Sequence, residues 1–143
     1  MDAANVAKLL GGKEVLGRRV ANELELERCE REGFPLDVLD VLQRKAVLTA
    51  GDVYGWIIPR RTLSHRISRG QRLNPEESGR VARVVRIFAL ASATLGGTER
   101  ATRWLHRPLR QFGNRTPMEM LATDVGTNQM EVLLGRIAHG IAA

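Results

Sequence analysis

The sequence predicts an all-α fold, with two small helical subdomains sharing one long helix. Three observations predict it. Prolines and glycines divide the chain into segments whose apolar residues recur at helical spacing, as Met130, Leu133, Leu134 and Ile137 do. No alternating apolar and polar run occurs with β-branched enrichment and hairpin turns beside it. Helix starts are also written locally: in Asn74-Pro75-Glu76-Glu77 and Thr116-Pro117-Met118-Glu119 a capping side chain precedes a proline, with a glutamate three positions on to complete a capping box.

Taken in order, a first helix runs from Ala3 to Leu10 and stops at Gly11-Gly12, where paired glycines make continuation costly. A second stretch, Lys13 to Glu32, is charged on most faces and ends at Gly33. Pro35 opens the next helix, which carries Leu36, Leu39 and Leu42 on one side and holds Arg44 and Lys45 in its last turn, where cations complement the helix dipole. Thr49 caps a short helix to about Trp56, in which Val53 and Trp56 lie three apart and can face inward together. Pro59 sits in the first turn of the following helix, giving up only an amide hydrogen that would have lacked a partner, and Gly70 ends it.

The long helix starts at Pro75 and runs to Leu95. Val81, Val84, Val85, Phe88, Ala91 and Leu95 make its apolar stripe, with Arg80, Arg83 and Arg86 opposite. Gly96-Gly97 terminates it. Thr98 caps a helix to about His106 that Pro108 stops, Thr116 caps a short helix ending near Ala122, and a last helix spans Thr127 to His139 with Gly140 placed to cap its end. This reading separates an N-terminal helical extension over 1–33, a helix-turn-helix region over 34–95 and a C-terminal region over 96–143.

Charge is distributed unevenly among these parts. Residues 1–59 carry 8 basic and 10 acidic side chains, residues 60–86 carry 8 and 2, and residues 87–143 carry 6 and 4. Every basic residue of the middle segment is arginine, whose planar fork of donors suits phosphates and guanine edges better than the point charge of lysine. On a helical wheel of Pro59 to Arg69, Leu63 and Ile67 define a buried side, while Arg61, Thr62, His65, Ser68 and Arg69 point away from it. Arg60 and Arg66 lie on the flanks, within reach of phosphates, and Arg72 lies just beyond. Together with Thr49 to Trp56 and a turn at Ile57 and Ile58, this helix has the size of a helix-turn-helix whose second helix enters the major groove of duplex DNA. Aromatic residues are nearly absent from that face, which argues against a stacking platform for single strands. A merely solvated arginine face, or one that meets an acidic protein, is the alternative this pattern leaves open.

Several sparse motifs in the C-terminal region then fall in an order that resembles a known family. They are Trp104-Leu105 before Pro108, Thr116-Pro117, Leu121-Ala122-Thr123-Asp124-Val125-Gly126, and Leu134-Gly135-Arg136-Ile137-Ala138-His139-Gly140. Upstream, Pro59-Arg60-Arg61-Thr62-Leu63 and Leu73-Asn74-Pro75-Glu76-Glu77-Ser78 belong to the same pattern. The chain resembles the Xre/ParS-type antitoxins of bacterial type II toxin-antitoxin systems from about residue 34 onward. It departs from them after Pro108, where the family usually has an asparagine and Leu109-Arg110-Gln111 stands here.

The resemblance implies a homodimeric helix-turn-helix repressor of its own operon that also neutralises a cognate toxin. The usual toxin is a RES-domain enzyme that destroys NAD, whose active-site entrance the antitoxin's C-terminal region covers. The toxin-binding residues expected on this basis are Val132, which faces away from the apolar stripe of the last helix, Arg136, His139, Gly140 and the apolar end Ile141, Ala142 and Ala143; a helix-dipole role for Arg136 and His139 and a frayed end are the alternatives. A stand-alone transcriptional regulator and an adaptor that does not bind DNA are the rival readings.

Other classes are disfavoured. His65, His106 and His139 are far apart, no glycine-rich phosphate loop follows a strand, and no nucleophile triad spacing occurs, so no catalytic residue, metal or cofactor is expected. The single cysteine, Cys29, allows no intramolecular disulfide and fits a reducing compartment. No apolar run approaches the roughly 20 residues needed to cross a bilayer, and no signal-peptide layout opens the chain, so a bacterial cytoplasmic location is expected.

Overall fold

The computed structural model describes residues 3–140. Ten α-helices, one π-helical turn and one 3-10 turn make up its regular structure among the described residues, and the only strand-like feature there is a single bridge between Leu109 and Arg115. The fold is all-α, as the sequence predicts. The chain packs as two compact units, one up to Val85 and one from Arg86 onward, so the divide falls inside the long helix.

In the first unit, α1 (Ala3–Leu9) and α2 (Gly12–Leu16) pack together, and α1 also meets α3 (Glu23–Glu32). The charged stretch from Lys13 to Glu32 thus holds most of α2 and all of α3, with a break between them. Gly17, at φ 77°, closes α2 by donating its N–H to Lys13 O, and Asn22 starts α3 afresh by accepting from Glu25 N at 2.9 Å. At the end of α3, Gly33 (φ 95°) lets the backbone turn under Leu73; a Cβ there would lie 2.0 Å from Leu73 O. Phe34 next to it is fully buried, and its N–H donates to Ser78 Oγ at 2.9 Å.

Helix α4 (Asp37–Arg44) buries Val38, Leu39, Val41 and Leu42, so its core face is broader than the expected leucine row, and Leu36 is only half-buried. Lys45, just after this helix, reaches back to the end of α1: its Nζ donates to Lys8 O and Leu9 O, both at 3.1 Å, the first of which also accepts from Gly11 N. Burial, then the neighbouring Lys8 and Arg44 cations, lowers the Lys45 pKa from its ordinary value.

Thr49 caps α5 (Ala50–Asp52) in a full capping box with Asp52. The helix then widens into a π-helical turn, Val53–Ile57, and this changes which residues face inward. Val53, Ile57 and Ile58 are buried, whereas Trp56, expected inside, is half-exposed. Arg80 Nη1 donates to Ile57 O at 3.1 Å and satisfies a carbonyl at the end of that turn. Pro59 stands before the first residue of α6 (Arg60–Ser68), and Gly70 (φ 62°) follows its end.

Helix α7 (Pro75–Leu95) opens as its sequence predicts, with Glu77 N donating to Asn74 Oδ1 at 2.7 Å and Asn74 N to Glu77 Oε1 at 2.8 Å. Its burial exceeds one stripe: Ser78, Ala82, Ile87 and Ala89 are buried along with Val81, Val84, Val85, Phe88 and Ala91.

In the second unit, α8 (Thr98–Leu105) begins after Gly97, whose φ of 139° only glycine adopts readily; Thr98 is its first residue rather than its cap. Ala101, Trp104 and Leu105 are buried. The loop beyond Pro108 is closed by Leu109 N donating to Arg115 O at 3.0 Å, around the 3-10 turn Arg110–Phe112. Thr116 and Glu119 form the expected capping box of α9 (Pro117–Met120). Helix α10 (Asp124–Ala138) starts three residues before the expected Thr127, because Thr123 Oγ1 accepts from Gly126 N at 2.9 Å. Gly126 is required there for space, since a Cβ would sit 1.9 Å from Met120 O. Met130, Leu133 and Leu134 are buried as expected, with Ile137 half-buried.

Candidate functional surfaces

Helix α6 contains no buried residue. The expected anchors Leu63 and Ile67 do not reach a core; Leu63 is half-buried and Ile67 is 62% exposed. Both line an open groove of about 600 Å³ whose walls include Leu36, Leu39, Asp40 and Tyr54. What holds α6 is polar. Arg66 turns inward and meets Glu77 with both terminal nitrogens, Nη1 to Oε1 and Nη2 to Oε2 at 3.2 Å, and also donates to Arg72 O at 3.1 Å. The pair is largely buried, with 17% and 8% of the two side chains exposed. Arg66 therefore does not extend along the flank as the helical wheel suggests. Glu77 serves twice, as its partner and as the capping-box residue of α7.

Beside that tie lies the outward face. Arg61, His65, Ser68 and Arg69 are exposed, and Thr62 is half-buried at its edge. Neither Arg61 nor Arg69 forms an ion pair among the described residues, so both forks are available to a ligand. Ser68 Oγ donates to His65 O at 2.9 Å, which leaves its hydroxyl oxygen as an acceptor. At the ends of the face the cations are steered by the protein: the Arg60 guanidinium stacks 4.3 Å from the centre of the Tyr54 ring, and Arg72 Nη1 donates to Gly33 O at 3.3 Å. Two contributors escape the sequence reading. Ser64 is exposed on the same face, and its wheel position three and four residues from Arg61 and Ser68 was the available signal. Tyr54 had none, because its approach to Arg60 depends on the π-helical turn.

On α10 the expected Val132, Arg136, His139 and Gly140 are all exposed; Ile141, Ala142 and Ala143 lie outside the described residues. The outward stripe is longer than expected. Val125, Gln129, Val132, Arg136 and His139 follow at intervals of four, three, four and three, which keeps them on one side of the helix. Val125 is 73% and Val132 45% exposed, apolar area that water does not favour. Val132 and Arg136 also border a cavity of about 250 Å³ with Gln111, Phe112, Gln129 and Leu133. Phe112 was missed because the loop that brings it there is closed by the Leu109–Arg115 bridge.

Cys29 is buried, and burial is the largest cause raising its thiol pKa, which disfavours the nucleophilic thiolate. His106 Nδ1 lies 2.9 Å from Thr102 O. Among the described residues no three His, Cys, Asp or Glu side chains converge to hold a metal, and no helix there is long and apolar enough to cross a membrane.

Comparison with known proteins matches residues 25–86 to the antitoxin Xre-like helix-turn-helix domain and residues 90–140 to the antitoxin Xre/MbcA/ParS C-terminal toxin-binding domain. An antitoxin Xre of Pseudomonas putida is 40% identical over 121 residues, covering 85% of this chain and 76% of the relative. An antitoxin Xre of Yersinia enterocolitica is 34% identical over 111 residues, 76% of this chain and 75% of the relative. One of Photorhabdus laumondii is 35% identical over 114 residues, 78% and 77% of the two chains.

Proposed function

The chain belongs to the Xre antitoxin family, and from that premise we propose that it represses its own operon by binding operator DNA through α6 and neutralises a RES-type, NAD-degrading toxin through α10. The observation that carries this reading is the separation of chemistry between the two helices: α6 turns a set of unpaired arginines outward, and α10 turns out a stripe of valines.

In this reading Arg61, His65, Ser68 and Arg69 enter the major groove, where arginine can take the two acceptors of a guanine edge and the hydroxyls can take phosphates or bases. Thr62 and Ser64 flank them, Arg60 and Arg72 meet the backbone, and Arg66 positions the helix from behind. A homodimer would present two such helices to half-sites one helical turn apart. Val132, Arg136, His139 and Gly140, continued by residues 141–143, form the toxin-facing side. Exposed apolar residues among polar ones are what a protein partner buries at the centre of an interface.

Separable variants test it. R61A/R69A should lower operator affinity by at least about tenfold, on the scale of 1–3 kcal/mol for each base-reading arginine, with toxin neutralisation in a growth-rescue assay unchanged. V132D should weaken toxin binding in a pull-down with operator affinity unchanged. Equal loss of both activities in either variant would refute two separate surfaces.

A further inference from the structure

The second unit carries a concentration of positive charge that neither proposed activity uses. Leu95, Arg100, Arg103, Trp104 and Arg107 line a cavity of about 290 Å³ at the end of α7 and along α8. We infer that this arginine-lined cavity grips the phosphodiester backbone of duplex DNA without reading its sequence, a contact that rests on the DNA-binding function proposed above and extends it to the C-terminal unit.

The three cations are not equivalent. Arg100 Nη1 donates to Leu95 O at 3.3 Å, so it is oriented across the C-terminal carbonyls of α7, whose dipole offsets part of its charge. Arg103 and Arg107 are exposed and form no ion pair among the described residues. Glu99 stands one turn before Arg103 on α8, at a spacing that favours pairing, yet the two do not pair. Arg107 continues the turn after α8, its N–H donating to Trp104 O at 3.2 Å, and it lines the same cavity as Arg103. Two like charges four residues apart repel each other, and an anion between them removes that cost.

The rest of the wall selects the kind of anion. Trp104 is 7% exposed and Leu95 half-buried, so the cavity has a partly apolar floor while the exposed cations stand in water, where their pull on a phosphate is screened by salt. That small exposure leaves no indole face on which an unpaired base could stack, which disfavours a single strand. Arginine forks bind phosphate oxygens in pairs, and exposed cations beside an open cavity suit a continuous backbone that passes over it.

The test uses the full chain with its operator duplex and with a scrambled duplex of equal length, binding being measured between about 50 and 200 mM salt. R103A/R107A should reduce the slope of log affinity against log salt by about 1.8, on the scale of 0.9 per phosphate contact, and should do so on both duplexes, leaving their affinity ratio unchanged. R110A/R115A, which removes two exposed arginines elsewhere in the unit, should change the slope by less than half as much. R103K/R107K, which keeps the charge, should restore the slope even if the alanine pair folds poorly. A slope change in R103A/R107A no larger than in R110A/R115A overturns the inference, as does a loss confined to toxin binding. Failure of the unsubstituted protein to bind either duplex overturns the parent reading as well, and is told apart because it needs no variant to appear.

Discussion

The two units are held together by different means. Up to Val85, long charged side chains tie segments that are distant in sequence: Arg66 to Glu77, Arg72 to Gly33 O, Arg80 to Ile57 O, and Lys45 to the end of α1. From Arg86 onward, ties of short reach include a capping box at Thr116, a cap at Thr123 and a close backbone approach of Gly126 to Met120. The difference teaches why α6 can be offered to a ligand whole. It has no fully buried residue and is tied by the Arg66–Glu77 pair, by Arg66 to Arg72 O and by Arg60 against Tyr54, so Arg61, His65, Ser68 and Arg69 are left exposed. Helix α10 is anchored by Met130, Leu133 and Leu134, and only the stripe opposite them is available.

The sharpest way to break this contrast is E77A. It leaves the Arg66 guanidinium with 17% exposure and no carboxylate, and it removes the capping box of α7, so a loss of about 3–5 kcal/mol is expected from the buried pair alone. Urea unfolding reads that loss. Operator affinity should fall further than the unfolded fraction explains, because α6 has no fully buried residue to hold it in place once Arg66 loses its partner; a proportional fall would show that the ion pair does not position the helix.

G126A attacks the other unit by crowding instead. The added methyl would meet the Met120 carbonyl, at a cost of about 1–3 kcal/mol, the range for overpacking. Toxin neutralisation should suffer more than operator binding. If both decline in step, the units do not behave independently.

The smallest effect belongs to K45M. At neutral pH it loses two hydrogen bonds to α1 but also relieves the burial and cation repulsion that depress the Lys45 pKa, for a net change of less than about 1 kcal/mol. The pH dependence gives its sign. Because the folded pKa lies below the ordinary 10.5, the unfolded chain binds more protons in the window beneath that value. Stability from this group therefore rises with pH towards 10.5 and is lost as pH falls through the folded pKa. K45M should flatten that alkaline rise in thermal melts; an unchanged profile would mean that Lys45 is not depressed.

Local sequence is enough to start the helices near Asn74 and Thr116 and to put Arg61, His65 and Arg69 on the outward face of α6. Those features follow from groups three or four residues apart, whose hydrogen bonds and wheel positions need no other part of the chain. Only the tertiary structure decided that Arg66 turns inward, since its partner Glu77 lies eleven residues on and no local rule links them. It likewise sets that Leu63 and Ile67 border a groove, that the π-helical turn leaves Trp56 half-exposed while Ile57 is buried, and that Gly126 approaches Met120 O too closely for a side chain. A long side chain on a helix flank has both water and protein within reach, and its direction is set by whichever partner the fold brings near.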